Sequence, residues 1–231
     1  MGLSTVPSLP EPDRATVASR RVRVGVFGGT FDPIHVGHLA LARAAQESFG
    51  FDRLLLIPTG RSWQTEAAGA SAEQRCDRVR IAIAGDPAMR LDAREANRDG
   101  PTYTIETLVE LRAELGGSAA IVLLMGSDQL SKLSTWHRWD ELLDYCHIAA
   151  TQRERVPLLG HDEATRSLIE TRGRECLDDA PCGSIVRFRM PAVPVSSTIL
   201  RRHLAQRGPV GELLPAGVIE YIERHGLYRA E

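Results

Sequence analysis

The segment that most limits the fold is Ala119 to Met125, Ala-Ala-Ile-Val-Leu-Leu-Met. A continuous apolar run of this kind, ending at Gly126, predicts a strand buried on both faces, because a strand with one wet face would alternate. Arg53 to Pro58 (RLLLIP) repeats the pattern, and Val22, Val24 and Val26 lie in a β-branched run that ends at Gly28-Gly29. Strands buried on both sides need helices on both sides. Helical spacing supplies them at Gly37 to Phe49, at Ser71 to Ala84, and at Thr104 to Leu115 ahead of Gly116-Gly117. Ser71 serves as N-cap of the second, with Gln74 completing a capping box. Met89 to Ala93, Cys146 to Thr151 and Ile185 to Met190 read as further strands. Asp162 to Cys176, Ser197 to Gln206 and Pro215 to His225 read as helices, Pro215 suiting a first helical position. The expected fold is α/β: a Rossmann-like, doubly wound parallel sheet with helices on both faces. Residues 1–21, with Pro7, Pro10 and Pro12 and no apolar core, predict a flexible extension before a single domain over 22–231.

Composition excludes several classes. A net charge of −2, with both signs spread along 231 residues, argues against a nucleic-acid polymer as partner. No apolar run approaches the roughly 20 residues needed to span a bilayer. The four cysteines, Cys76, Cys146, Cys176 and Cys182, form no CxxC pair, so reduced thiols in a cytoplasmic protein are expected. An oligomer is compatible with all of this.

In open parallel sheets, ligands bind beyond the carboxyl ends of the strands. That rule selects the loops Gly28 to Gly37, Pro58 to Ser71, Gly126 to Arg138 and Met190 to Ser197. The first reads Gly28-Gly29-Thr30-Phe31-Asp32-Pro33-Ile34-His35-Val36-Gly37-His38 and is neither a Walker A motif nor GxGxxG. With a helix beginning at Gly37, both imidazoles can reach the space over its N-terminus, where phosphate is favoured, and Gly37 leaves room for an oxyanion. They can equally be turn residues beside a strand end. A metal site lacks a third ligand, since Pro33 marks Asp32 as a turn-former. In Ser196-Ser197-Thr198-Ile199-Leu200-Arg201, one hydroxyl can cap a helix; three hydroxyls and an arginine one turn on also suit a polyphosphate. Asp128, after Gly126, can accept from a ribose hydroxyl or cap a turn. Trp136 can stack on a planar ring or pack on the surface. Thr102 can cap the helix after it.

Together and in this order, GGTFDPIHVGHL, a strand followed by Gly-x-Asp, Thr-Trp and SSTxxR resemble the nicotinate-nucleotide adenylyltransferases, of the nucleotidyltransferase superfamily with the (H/T)xGH motif. The resemblance spans about Val22 to Tyr228. It implies a nucleotidyltransferase-type fold and transfer of AMP from ATP to nicotinate mononucleotide, yielding deamido-NAD and pyrophosphate in pyridine nucleotide biosynthesis. It implies Mg²⁺ carried mainly by the ATP phosphates, with no covalent intermediate and no protein-held metal. It assigns ATP to Gly28, Gly29, Thr30, Phe31, His35, His38, Gly126, Asp128, Ser197, Thr198 and Arg201, of which His35, His38 and Arg201 are catalytic. It assigns the mononucleotide to Thr59, Arg61, Tyr103, Thr104 and Trp136, with the nicotinate carboxylate meeting backbone amides near Thr104 and Trp136.

Two departures stand out. Family members often carry a Pro-His-Lys-like run after the second strand, whereas this chain has Thr59-Gly60-Arg61-Ser62-Trp63-Gln64-Thr65. Gln152-Arg153-Glu154 likewise replaces an Arg-Pro-Gly turn, which weakens Arg153 as a site residue. The competing readings are a sister adenylyltransferase acting on nicotinamide mononucleotide or phosphopantetheine, a non-catalytic nucleotide sensor, and a metal-binding protein using the histidines.

Overall fold

The computed structural model describes residues 21–62, 69–152 and 162–229. The expected N-terminal extension, apart from Arg21, lies outside the described residues, as do Gln64, Thr65 and Arg153. The elements are β1 (Arg23–Gly29), α1 (Val36–Phe49), β2 (Arg53–Pro58), β3 (Arg61–Ser62), α2 (Ala72–Ile83), β4 (Met89–Leu91), β5 (Pro101–Thr102) and α3 (Thr104–Leu115). They continue with β6 (Ala120–Met125), α4 (Ser127–Leu130), α5 (Leu142–Tyr145), β7 (His147–Gln152), α6 (Glu163–Arg172), β8 (Gly173–Arg174), β9 (Ile185–Arg189), α7 (Ser197–Ala205) and α8 (Ala216–Arg224).

The main sheet has the order β4-β2-β1-β6-β7-β9-β8, and its pairings are parallel throughout. The doubly wound sheet expected from the buried runs is therefore present. Every residue of β6 is buried, and its side chains serve two layers in alternation. Val122 and Leu124 pack with α1, α2, α7 and α8 through Ala42, Val79, Leu200 and Val218. Ile121, Leu123 and Met125 pack with α3, α5 and α6 through Leu108, Leu142 and Ile169. Burying each such Leu or Ile contributes about 1.5–3 kcal/mol, so the middle of the sheet is its rigid part.

Several details differ from the sequence expectation. Residues 162–176 do not form one helix: α6 stops at Arg172, and Gly173 and Arg174 form β8 on the edge beside β9. Gly173 permits this because a Cβ there would lie 2.5 Å from the Ile169 carbonyl oxygen. Pro215 is the N-cap of α8 rather than its first helical residue. Thr102 does not cap α3; it belongs to β5, which pairs with β3 in a small second sheet, and Tyr103 occupies the N-cap. The capping box of Ser71 and Gln74 on α2 is formed as expected, with bonds of 3.0 and 3.1 Å.

Candidate active site

The crevice originates in strand register. β1 and β6 pair from Arg23↔Ala120 to Val26↔Leu123, whereas β1 continues to Gly29, still paired with β2 at Gly29↔Pro58. Beyond Val26 and Leu123 the two strands part, at the point where the strand order reverses. A cavity of about 350 Å³ opens there. Gly28 and Gly126 both line it, and a Cβ on either would meet nothing within 4 Å. A ligand can thus lie directly against backbone. Thr30, His38, Thr59, Tyr103, Thr104 and Trp136 complete the wall on the sequence-expected residues.

The two histidines together form the start of α1. α1 begins at Val36, one residue before the expected Gly37, so His35 is its N-cap and His38 its third residue. The His35 N–H donates to His38 Nδ1 at 3.2 Å. The His38 N–H is shared between the His35 carbonyl at 2.9 Å and His35 Nδ1 at 3.4 Å. The rings stack, with centroids 3.7 Å apart. An Nδ1 that accepts from an amide cannot carry a proton, so each neutral ring carries it on Nε2. Burial lowers the His35 pKa to about 4 and holds His38 well below its ordinary value, with His35 adding to the effect. The pair therefore presents Nε2–H donors. With its lone pair committed to the cap, neither ring is free to act as base, nucleophile or metal ligand.

Packing gives Gly37 a further reason to be glycine. A Cβ there would lie 2.9 Å from Val195 Cγ1 and 3.1 Å from the His35 ring. The glycine lets the strand-to-helix segment before α7 press on the start of α1, which brings the two helix N-termini together. We expect Gly37→Ala to lower stability by about 1–3 kcal/mol through overpacking and to depress turnover. Adding Val195→Ala should recover stability in thermal melts.

Asp32 stands in a turn with Pro33, as expected, and its side chain does more than form that turn. It is 1% exposed, and its carboxylate forms a 3.1 Å ion pair with Arg78, which is 0% exposed, on α2. It also accepts from the Gly69 N–H at 2.7 Å and from the Tyr228 hydroxyl. Its carbonyl accepts from Arg201 at 2.7 Å. Arg75, also buried, donates to the Thr30 carbonyl at 2.9 Å and the Gly60 carbonyl at 3.1 Å, tying the loop after β1 to the loop after β2. Ser196 caps α7, and Ser197 donates to the Pro33 carbonyl at 3.1 Å. Thr198 is exposed beside them.

Some expected contacts change. The Phe31 side chain is 1% exposed and packs edge-on against Phe27 and His38, so it braces the histidine and only its backbone can meet a ligand. The Trp136 N–H donates to the Leu133 carbonyl at 2.9 Å, while its indole Nε1 is buried without a partner among the described residues. His35, Asp128, Ser197, Thr198 and Arg201 stand outside the cavity wall, and Asp128 is exposed on α4. For Arg61 the backbone pairs in β3 with Pro101. The sequence reading missed Glu95, Thr107 and His137, which all line the cavity. Glu95 accepts from the Thr107 hydroxyl at 2.7 Å, and burial raises its pKa. His137 lies 4.3 Å from the Tyr103 ring, centroid to centroid. Its place directly after Trp136 in the loop was the available signal. Among the described residues, no group of three His, Cys, Asp or Glu could hold a metal ion.

Residues 26–203 match the cytidylyltransferase-like family. The chain is 40% identical over 210 residues to a probable nicotinate-nucleotide adenylyltransferase of Pseudomonas putida (strain GB-1), covering 90% of this chain and 95% of that one. It is 41% identical over 213 residues to the corresponding protein of Pseudomonas paraeruginosa, covering 90% and 98%. The chain belongs to the nicotinate-nucleotide adenylyltransferase family. Its fold is similar to that of Plasmodium falciparum nicotinic acid mononucleotide adenylyltransferase complexed with NaAD, with a TM-score of 0.67 at 15% identity, covering 89% of this chain and 97% of that one. In this family member the crevice between β1 and β6 is thus the candidate active site, and Asp32, Arg75 and Arg78 hold its loops in place.

Proposed function

We propose that this chain transfers AMP from ATP, taken as its Mg²⁺ complex, to nicotinate mononucleotide, producing deamido-NAD and pyrophosphate in the cytoplasm. The observation that carries the reading is the reciprocal cap of His35 and His38, which engages both Nδ1 atoms and sets His38 on the wall of a crevice also lined by Gly28 and Gly126. A mononucleotide phosphate oxygen attacks the α-phosphorus, the bond to the β-phosphate oxygen breaks, and pyrophosphate leaves with the electron pair. The nucleophile is already ionised, so no base is needed, and catalysis is positioning plus charge stabilisation. His35 and His38 donate to the phosphates, joined by Thr30 and the N-terminus of α1. Ser197, Thr198 and Arg201 hold the triphosphate from the adjoining start of α7. Gly28, Gly29, Gly126 and Asp128 meet the adenosine. Tyr103 and Trp136 flank the pyridine ring, the positive end of α3 at Thr104 meets its carboxylate, and Thr59 and Arg61 meet the mononucleotide phosphate. Mg²⁺ stays on the substrate phosphates and neutralises the departing pyrophosphate.

An acceptor panel tests the reading. Turnover with nicotinate mononucleotide should exceed that with nicotinamide mononucleotide and with phosphopantetheine. Preference for either alternative would assign the ring pocket to a different acceptor.

The histidines also set a pH dependence. Unfolded His35 takes up its proton near pH 6.5, whereas folded His35 resists until about 4. The unfolded state therefore binds more protons between those values, and stability falls as pH drops through that window. Above it both states are neutral and the contribution is constant. Thermal melts from pH 7.5 to 4.5 should show the loss, and turnover should carry no inflection from these histidines between about pH 6.5 and 8.

A further inference from the structure

Near the C-terminus, Tyr228 reaches back to the loop that carries the histidines. Its hydroxyl donates to Asp32 Oδ1, the oxygen that also pairs with Arg78, and Arg78 lies over its ring at 5.3 Å from the centroid. The same ring closes over Gly69, where a Cβ would sit 3.2 Å from it. Tyr228 has φ 62°, and Phe31, immediately before Asp32, has φ 49°. Left-handed backbone at two non-glycine residues, one on each side of this contact, is tolerated where surrounding structure over-determines it. Asp32 is a junction: its carboxylate is gripped by Arg78, Gly69 and Tyr228, while its carbonyl orients Arg201. Pro33, next along the chain, receives Ser197, and His35 follows as the cap of α1. Any rotation of the Asp32 side chain that shifts its backbone moves Arg201, Ser197 and the histidines relative to one another.

We propose that Tyr228 is a positioning residue for adenylyl transfer: by fixing the Asp32 carboxylate, it sets the placement of the triphosphate-binding groups without touching substrate. The inference rests on the proposed assignment of His35, His38, Ser197 and Arg201 to ATP. It predicts a defect weighted toward ATP, because the ring of the mononucleotide meets Tyr103, Thr104 and Trp136 across the crevice, and the segment of Thr59 and Arg61 is held at Gly60 by Arg75 rather than by Tyr228.

Tyr228→Phe removes the hydroxyl and keeps the ring over Gly69 and Arg78, so the fold is retained. The test compares the wild-type and variant full-length proteins at one temperature, measuring kcat together with binding of a non-hydrolysable ATP analogue and, separately, of nicotinate mononucleotide. The expected result is a kcat lower by roughly tenfold and weaker binding of the ATP analogue by several-fold, with mononucleotide binding unchanged. Equal kcat and equal ATP-analogue binding in the two proteins would overturn the proposal. So would parallel weakening of both ligands in step with the fraction unfolded, which marks a merely structural role. If the wild-type protein is inert toward nicotinate mononucleotide, the functional reading fails by itself. The ATP-analogue comparison then still decides the role of Tyr228.

Discussion

Replacing His38 by Ala lowers turnover by about 10²–10³-fold, the effect of deleting one preorganised donor to a developing phosphoryl charge. The change removes an Nε2–H from the crevice wall, and it also removes the ring on which His35 stacks at 3.7 Å. It further leaves the His35 N–H without its 3.2 Å acceptor, so part of the loss could be a frayed helix start. His38→Gln separates the two contributions. Glutamine at the third helical position restores the reciprocal cap but not the ring donor. Thermal stability should recover in the glutamine variant while turnover stays low. Recovery of both would make the histidine a cap and nothing more.

Arg78→Met is the substitution expected to damage stability most. It leaves the Asp32 carboxylate, 1% exposed, without its cation, while the Gly69 N–H and the Tyr228 hydroxyl remain. Removing one member of a buried ion pair costs about 3–5 kcal/mol, a large share of the stability of an ordinary domain. Melting should fall by roughly 10 °C for a chain of this size. Combining Arg78→Met with Asp32→Asn removes the stranded charge, so the double variant should melt higher than the sum of the single effects allows. Additivity of the two would mean that Arg78 stabilises through packing and not through Asp32.

How far the sequence spoke depended on the range of the interactions. The strand at β6 was legible because burial on both faces leaves a continuous apolar run, and α3 was bounded correctly by its period and the glycines after it. The cap at Ser71 was legible because a capping box is local, four residues long. β3 and β5 were not, since two-residue strands carry no periodicity. The Asp32 cluster was invisible for a different reason. Asp32 and Tyr228 are 196 positions apart, Arg78 lies on an amphipathic helix where arginine ordinarily faces water, and Asp-Pro is an ordinary turn signal. The histidines lay between these extremes. Their spacing suggested either a turn or a phosphate site, and the structure shows a reciprocal cap between them. The commitment of the Trp136 N–H to a 3₁₀ turn had no local signature beyond the loop itself.

The central claim is direct transfer to the mononucleotide at this crevice, with histidines that donate and never carry the adenylyl group. Isotope exchange tests it most directly. The purified protein is incubated with MgATP and labelled pyrophosphate, first without and then with nicotinate mononucleotide. Direct transfer predicts no label in ATP until the mononucleotide is added, and then label in ATP together with deamido-NAD. Label entering ATP in the absence of the mononucleotide, or no dinucleotide in its presence, would contradict the account.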